Sequence, residues 1–148
     1  MRAVVQRVTA ARVEVAGELV GRIDRGLVAF VGIGKGDGEA EARYLVDKIA
    51  GLRVFEDDQG KMNLSLADVA GGLLLVSQFT LYGDTSRGRR PGFDRAMPPE
   101  EAERLYDRVV ELARARHSPV ETGRFRADMR VLVDNDGPVT LLVETPNP

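Results

Sequence analysis

The chain has 148 residues, of which 43% are hydrophobic and 30% are charged, and its formal net charge is -2 at pH 7. This length and composition are typical of one folded domain and exclude a disordered or fibrous protein, while the charge argues against a globally basic nucleic-acid binder. No segment approaches the roughly 18 apolar residues of a membrane-spanning helix, and the first residues do not resemble a signal peptide, so we expect a cytoplasmic protein without a membrane partner.

The first half of the chain combines strand patterns with one helical pattern. Valines at alternate positions over residues 1–8 and 11–23 predict a β-hairpin. The apolar run of residues 27–33 predicts a strand that is covered on both faces. The next apolar residues recur at helical spacing, which predicts a helix with Asp37 as its N-cap and Gly51 as its end.

The second half repeats this alternation of strands and helices. Residues 53–57 predict a short strand, and residues 71–81 predict a buried strand that continues through the segment SQFTL. A second helix is expected to begin at Pro98, because proline suits the first turn and two glutamates follow it. Residues 129–144 predict two strands on either side of the segment Asn-Asp-Gly-Pro.

The order of these elements predicts the fold class. Three strands, a helix, further strands, a second helix and final strands indicate a mixed α/β (α+β) fold, with largely antiparallel or mixed sheets. Each helix has one apolar stripe, so we expect both to pack on one side of a sheet, in β/β/α layers. No repeat or linker divides residues 1–148, which predicts a single domain, and residues 145–148 are expected to be loose.

Several common types of site are disfavoured by the sequence. The glycine-rich segment around Lys35 lacks the spacing of a phosphate-binding P-loop, and an aspartate follows where serine or threonine would hold magnesium. The absence of cysteine excludes thiolate chemistry. The single histidine, His117, ends a helical pattern, where a cation interacting with the helix dipole is the simpler interpretation. We therefore expect no metal site.

The end of the strand over residues 71–81 carries hydroxyl and amide side chains. Strand alternation would place Ser77 and Phe79 on one face and Gln78 and Thr80 on the other. No base lies nearby in the sequence to activate a hydroxyl. A catalytic contribution would therefore come from positioned hydrogen bonds, including backbone N–H groups directed at an oxyanion, and an ordinary polar strand end is the alternative.

The segment that follows, residues 84–95, is rich in arginine and is called the arginine loop below. Its arginines are Arg87, Arg89, Arg90 and Arg95. A planar guanidinium makes bidentate contacts to phosphate, so the loop suits a nucleic-acid backbone. A solvated loop with incidental charge is an equal alternative, because two aspartates lie in the same segment.

Six short segments together resemble the D-aminoacyl-tRNA deacylase family, also called D-tyrosyl-tRNA deacylases. They are QRV at 6–8, GKMNLS at 60–65, SQFTL at 77–81, RGxRPxF at 87–93, TGRFxADM at 122–129 and NDGPVT at 135–140. Because they occur in the right order over nearly the whole chain, the resemblance is far more specific than any one motif. It implies a deacylase-like fold and no cofactor.

The resemblance also implies an activity and a set of site residues. The expected enzyme is a homodimeric hydrolase that cleaves the ester of a tRNA charged with a D-amino acid. Its catalytic segment would be Ser77, Gln78, Phe79 and Thr80, and its substrate-binding segment would be Gly137, Pro138, Val139 and Thr140. The second segment would come from the other subunit, with a cis Gly-Pro bond whose carbonyls exclude L-amino acids but admit glycine. Arg87, Arg89 and Arg90 would contact tRNA phosphates.

Two questions stay open at this stage. An attacking water could be assisted by the 2′-hydroxyl of the tRNA, or Thr80 could act as a nucleophile; the lack of a base favours the first. The alternative function is a non-catalytic RNA-binding module for tRNA acceptor ends, and a nucleotide-binding enzyme that uses Lys35 ranks last.

Overall fold

The structure, a computed structural model, describes residues 1–146 and contains strands in both halves of the chain. The strands within these residues are Arg2–Val15 (β1), Glu18–Ile23 (β2), Gly26–Gly32 (β3), Phe55–Glu56 (β4), Met62–Leu64 (β5), Gly72–Ser77 (β6), Val120–Thr122 (β7) and Met129–Glu144 (β8). The helices are Glu39–Gly51 (α1), Leu66–Val69 (α2) and Pro99–Arg116 (α3). No helix of the described residues is long and apolar enough to cross a membrane.

The main sheet has the strand order β2-β1-β3-β6-β7, and β8 pairs with β1 as well. The pairs of β1 with β2, β3 and β8 are antiparallel, whereas β3–β6 and β6–β7 are parallel. Strands β4 and β5 form a separate two-stranded sheet. The expectation of a mixed sheet-rich α/β fold is therefore confirmed.

The two long helices cover one face of this sheet. Apolar residues of α1 and α3 join those of β1, β3 and β6 in the larger buried cluster. A second buried cluster lies on the opposite face, where the first half of β8 packs over β1 and β6. Burial of these two clusters supplies the main driving force for folding. The short helix α2 is an addition that the sequence pattern did not predict.

The start of α1 differs from the expectation at Asp37. The N-cap is Gly38, whose N–H donates to the Glu41 carboxylate at 2.9 Å. Asp37 instead accepts from the Gly34 N–H at 2.7 Å and pairs with the amino group of Met1 at 2.9 Å. The helix ends at Gly51, as predicted, and Leu52 is the C-cap.

Strand β6 ends at Ser77, four residues earlier than the sequence predicts. Residues Phe79–Tyr82 form one turn of 3₁₀ helix, called the strand-exit turn below. The strand alternation expected for this segment is therefore wrong beyond Gln78. The turn lies directly on β3, because a Cβ atom at Gly32 would be 2.9 Å from Leu81 Cβ. A glycine at this position permits that approach.

Residues Met129–Glu144 are one long strand rather than two. Its pairing with β1 shifts register between Gln6 and Val8 and again between Val8 and Ala10, so the expected break persists as a bulge. The Gly137–Pro138 bond within it is cis, whereas general statistics favour trans. The tail is expected to be loose, but its first residue, Thr145, is buried, and its N–H donates to the Met1 carbonyl at 3.0 Å. Residues 147 and 148 lie outside the described range.

Candidate functional site

The strand-exit turn presents two backbone donors at the end of β6. Phe79 and Thr80 are its first two residues, so their N–H groups have no acceptor within the turn. Within residues 1–146 neither group donates to another backbone carbonyl, while the neighbouring Gln78 N–H donates to the Val31 carbonyl at 2.8 Å. Phe79 and Thr80 are also exposed. The turn can therefore offer two fixed donors to a ligand oxygen.

The side chains of Gln78 and Thr80 beside these donors are polar, and neither is a base at neutral pH. The Gln78 amide nitrogen donates to the Thr80 hydroxyl. Burial, and then the charge of Asp37, raise the pKa of Tyr82 to about 12, so this phenol stays protonated at neutral pH. His117 binds the Gly71 carbonyl at 2.6 Å, at the other end of β6, about 20 Å along the strand from Ser77.

The arginine loop projects from the protein directly after the turn. Asp84 and Gly92 exchange backbone hydrogen bonds of 2.7 and 2.9 Å, which close the base of the loop. Its exposed guanidinium groups at Arg87, Arg89 and Arg90 form no ion pair with any carboxylate of residues 1–146. Asp84 instead accepts from Ser86, whose hydrogen bonds lower the pKa of that carboxyl. The three positive charges are thus available to an anionic partner.

Two exposed aromatic rings connect the turn and the loop. Phe79 is 55% exposed and Phe93 is 36% exposed, and their ring centroids lie 5.0 Å apart in an edge-to-face arrangement. Exposed rings beside unpaired arginines are typical of surfaces that bind unstacked nucleotides. Phe93 was not among the residues that the sequence singled out as functional.

The Gly137–Pro138 bend is held by three polar side chains. The Asn135 carbonyl oxygen accepts from the Val139 N–H at 2.9 Å, and the Asn135 amide nitrogen lies 3.1 Å from the Thr140 hydroxyl. Gln6 donates to the same hydroxyl at 3.1 Å. Gly137 and Pro138 are exposed, whereas Val139 is buried. The bend is therefore a fixed surface feature.

Arg7 supports the bend from beneath and is missing from the residues predicted to be functional. It is only 6% exposed, and its guanidinium donates to the Val54 carbonyl at 2.7 Å and to the Asp136 carbonyl at 3.3 Å. The sequence signal for Arg7 was the segment QRV at 6–8, which contributed to the family resemblance but suggested no function for this residue. Burial of a guanidinium that bonds to the bend marks Arg7 as a supporting residue.

The structure does not bring the two predicted segments together within one chain. In the strand register Ser77 lies opposite Val31, Val31 opposite Ala3, and Ala3 opposite Val143. Three strand spacings, about 14 Å, therefore separate β6 from β8 at this level. Gly137 lies at the level of Arg7, a further four residues or about 13 Å along β1. The two segments form separate surface sites on a single chain.

The described residues contain no group of three or more histidine or acidic side chains placed to hold a metal ion. The candidate site is therefore built from backbone N–H groups, hydroxyl and amide side chains, aromatic rings and arginines. Such groups can stabilise an oxyanion and bind phosphates.

Comparison with known proteins agrees with the motifs. The D-Tyr-tRNA(Tyr) deacylase family model matches residues 4–144. A D-aminoacyl-tRNA deacylase of Sorangium cellulosum is 64% identical over 146 residues, covering 98% of this chain and 97% of the relative. A second one, of Symbiobacterium thermophilum, is 59% identical over 145 residues, with coverage of 98% and 96%.

Two solved structures are also similar. The c-Myc DNA Unwinding Element Binding Protein superimposes with a TM-score of 0.94 at 44% identity and 99% coverage of both chains. A probable eukaryotic D-amino acid tRNA deacylase gives a TM-score of 0.81 at 18% identity, covering 96% of this chain and 97% of its own, which supports the fold alone. With the match of the family model over residues 4–144, these likenesses show that the chain belongs to the D-Tyr-tRNA(Tyr) deacylase family.

Proposed function

We propose that the protein hydrolyses the ester bond between a D-amino acid and the terminal adenosine of tRNA, releasing the free amino acid and the tRNA. The observation that carries this proposal is the strand-exit turn, whose Phe79 and Thr80 N–H groups donate to no backbone carbonyl of residues 1–146. It lies beside the arginine loop, in which Arg87, Arg89 and Arg90 form no ion pair with those residues. Relatives more than half identical over nearly the full length carry the name of this activity.

The chemistry asks little of side chains because an aminoacyl ester is already activated. The N–H groups of Phe79 and Thr80 would bind the oxyanion that forms when water attacks, and such a donor contributes about 3 kcal/mol in other enzymes. The 2′-hydroxyl of the terminal ribose would assist the water. A nucleophilic Thr80 is less favourable, since its hydroxyl already accepts from Gln78 and no histidine lies near it.

Selection against L-amino acids would use the Gly137–Pro138 bend of a second copy of the chain. The distance between the bend and the strand-exit turn within one chain supports a site that only a homodimer completes. Main-chain carbonyls of the bend would hold the α-amino group and leave no room for an L side chain. A filter of this kind does not read the side chain, so it would also admit glycyl-tRNA.

The arginine loop would bind the phosphates of the acceptor stem through Arg87, Arg89 and Arg90. Phosphate contacts of this type are largely independent of base sequence and weaken steeply with salt. The exposed ring of Phe79, in contact with Phe93, offers a surface for an unpaired base near the end of the tRNA.

The deciding experiment compares D-tyrosyl-tRNA, L-tyrosyl-tRNA and glycyl-tRNA as substrates of the purified protein. We expect rapid release of D-tyrosine, slower release of glycine and no release of L-tyrosine above the uncatalysed rate. Replacement of Arg87, Arg89 and Arg90 by glutamine should raise KM and reduce its dependence on salt. Equal hydrolysis of both tyrosyl enantiomers, or of neither, would contradict the proposal.

A nucleic-acid-binding protein without catalytic activity is the second candidate. Arg87, Arg89 and Arg90, which form no ion pair within residues 1–146, favour it, and so does the similarity to a protein described as binding a DNA unwinding element. It predicts equal affinity for charged and uncharged tRNA, or affinity for a DNA duplex. In either case no amino acid is released from the tRNA. The same preparation therefore distinguishes the two candidates, because only the deacylase releases amino acid.

A further inference from the structure

Tyr82, the last residue of the strand-exit turn, lies between two arginine side chains from different parts of the chain. It is 3% exposed. The guanidinium carbon of Arg2 is 4.7 Å from its ring centroid, and that of Arg95 is 5.8 Å away. Both distances are within the range of a cation–π interaction. Tyr82 is thus a contact point for β1, the turn and the end of the arginine loop.

Arg2 makes a second contact with the same turn. Its Nη1 donates to the Leu81 carbonyl at 3.2 Å. A single side chain of β1 therefore binds the turn through both its backbone and its last aromatic ring. The fork of a guanidinium allows this combination, because one N–H group donates while the flat face of the group packs on a ring.

The packing of Tyr82 against the segment that follows β3 leaves the ring no room on that side. A Cβ atom at Gly34 would lie 2.7 Å from Tyr82 Cε1. The segment after the arginine loop is attached to the same strand end, since the Lys35 N–H donates to the Arg95 carbonyl at 2.9 Å and the Met97 N–H donates to the Ile33 carbonyl at 3.0 Å. The turn and both ends of the loop are thus fixed to neighbouring points.

The hydroxyl group of Tyr82 is not part of these contacts. It is buried and has no hydrogen-bond partner among residues 1–146. The ring, rather than the hydroxyl, is therefore what Arg2 and Arg95 recognise. This distinction separates the contribution of the aromatic face from that of the polar group in an experiment.

We propose that Arg2 and Tyr82 are positioning residues, which set the strand-exit turn at a fixed place relative to the arginine loop. The inference rests on the proposed function: the turn carries the oxyanion donors, and the loop carries the tRNA contacts. Tyr82 is buried and Arg2 binds the Leu81 carbonyl, so both would act through the turn and not on the substrate. A misplacement of the donors by about 1 Å can lower the rate about 100-fold, so their loss should lower kcat more than it raises KM.

The test combines amide hydrogen exchange with kinetics on the full-length protein. In Arg2→Met and Tyr82→Leu we expect the hydrogen-bonded amides of Leu81 and Gly83 to exchange about tenfold faster, with no change in α3. For the same variants kcat on D-tyrosyl-tRNA should fall about tenfold or more while KM stays within about twofold. Arg2→Lys should restore part of the loss, because an ammonium keeps the charge but not the fork.

Two control variants accompany them. Tyr82→Phe keeps the ring and removes only the unpartnered hydroxyl, so exchange and kcat should match those of the unchanged protein. Arg25→Met removes a different arginine–aromatic contact, the one with Phe55 at 5.3 Å, and should leave residues 79–83 unaffected.

Unchanged exchange of the Leu81 and Gly83 amides in Arg2→Met and Tyr82→Leu would overturn the inference, and so would faster exchange throughout the protein. If the unsubstituted protein were active and both variants had the same kcat as it has, the positioning role would be refuted, but the proposed function would not. If the unchanged protein released no amino acid from any aminoacyl-tRNA, the proposed function and the kinetic part of the inference would both be refuted. The exchange data would still decide whether the two residues hold the turn.

Discussion

Gly137 occupies a backbone conformation that other residues rarely adopt. Its φ is +129°, and an added Cβ would lie 2.9 Å from Val139 Cγ2 and 3.1 Å from Arg7 Nη2. We expect Gly137→Ala to lower the free energy of unfolding by more than about 1 kcal/mol and to abolish deacylation, because the bend must shift. Urea unfolding and a D-tyrosyl-tRNA assay measure the two effects.

Gly17→Ala is a matched control for this substitution. Gly17 has a φ of +81°, but nothing lies within 4 Å of an added Cβ. The control should lose stability without losing activity. Full activity of Gly137→Ala would show that the shape of the bend does not limit the reaction.

Arg7 is expected to stabilise the protein more than an exposed arginine does. Replacement by methionine would leave the Val54 and Asp136 carbonyls without this donor and lower the free energy of unfolding by about 1–3 kcal/mol. Activity should fall as well, since Asp136 precedes Gly137. Arg12→Met is the control: Arg12 is half exposed and pairs with Glu14, so its loss should have little effect on unfolding. Equal effects of both substitutions would contradict the supporting role.

Thr80 decides between the two chemical routes. Its hydroxyl accepts from Gln78, and its N–H survives substitution by alanine. We therefore expect Thr80→Ala to lower kcat by less than about tenfold, whereas removal of a covalent nucleophile costs many orders of magnitude. Single-turnover hydrolysis of D-tyrosyl-tRNA measures this. Complete loss of activity, with unchanged folding and tRNA affinity, would support the covalent route instead.

Residue types and spacing predicted much at this scale, but not the partners that come from distant parts of the chain. Proline in the first turn of α3 and the glutamates after it are as expected. Asp37 was assigned as a helix cap on local grounds, yet Gly34 and the amino group of Met1 bind its carboxylate. Local sequence cannot reveal the Met1 partner, since it lies 36 residues away and depends on tertiary pairing.

At the scale of elements, the end of β6 shows where strand propensity stops being informative. Phe79 and Thr80 favour strands and Leu81 is apolar, so the pattern predicted a continuous strand. The chain turns at Gln78 because Gly32 lets the turn pack directly on β3 and because Arg2 donates to the Leu81 carbonyl. These contacts come from elements distant in sequence, and tertiary packing overrides propensity here.

The ion pair of Glu39 with Arg108 connects α1 and α3, and its contribution to the stability of the protein should depend on pH. A hydrogen bond from Arg108, and then its charge, lower the pKa of Glu39 from its ordinary 4.5. A carboxyl with a lowered pKa stabilises the fold above its unfolded-state pKa, and this contribution is lost as the pH falls through the folded-state value. Glu39→Gln should therefore lower Tm slightly at pH 7, and the difference should shrink as the pH falls below the ordinary value of 4.5. Because the pair is exposed, the difference should shrink in high salt. A constant difference over the whole pH range would exclude ionisation as its cause.

At the scale of the whole molecule, the sheet register determines what one chain can do alone. The sequence predicted the fold class and the two helices on one face, because hydrophobic periodicity records which surfaces are buried. It could not predict that β1 and β3 separate β6 from β8, since strand order depends on long-range pairing. The family resemblance implied a site shared between subunits, and the separation of β6 from β8 in the register supports the proposal that a second copy completes it.

A hybrid of two inactive variants tests this requirement directly. One variant carries Gly137→Val, which disrupts the bend; the other replaces Arg87, Arg89 and Arg90 by glutamate, which disables the tRNA contacts beside the turn. In a twofold dimer with shared sites, the hybrid has one site with both defects and one with neither, so its activity should be about half that of the unchanged dimer. Co-expression with two different C-terminal tags and sequential purification isolates the hybrid, and the D-tyrosyl-tRNA assay measures it. If the hybrid is as inactive as its parents, the bend and the turn must serve the same chain, and the register of β8, β1, β3 and β6 would then rule out a common site.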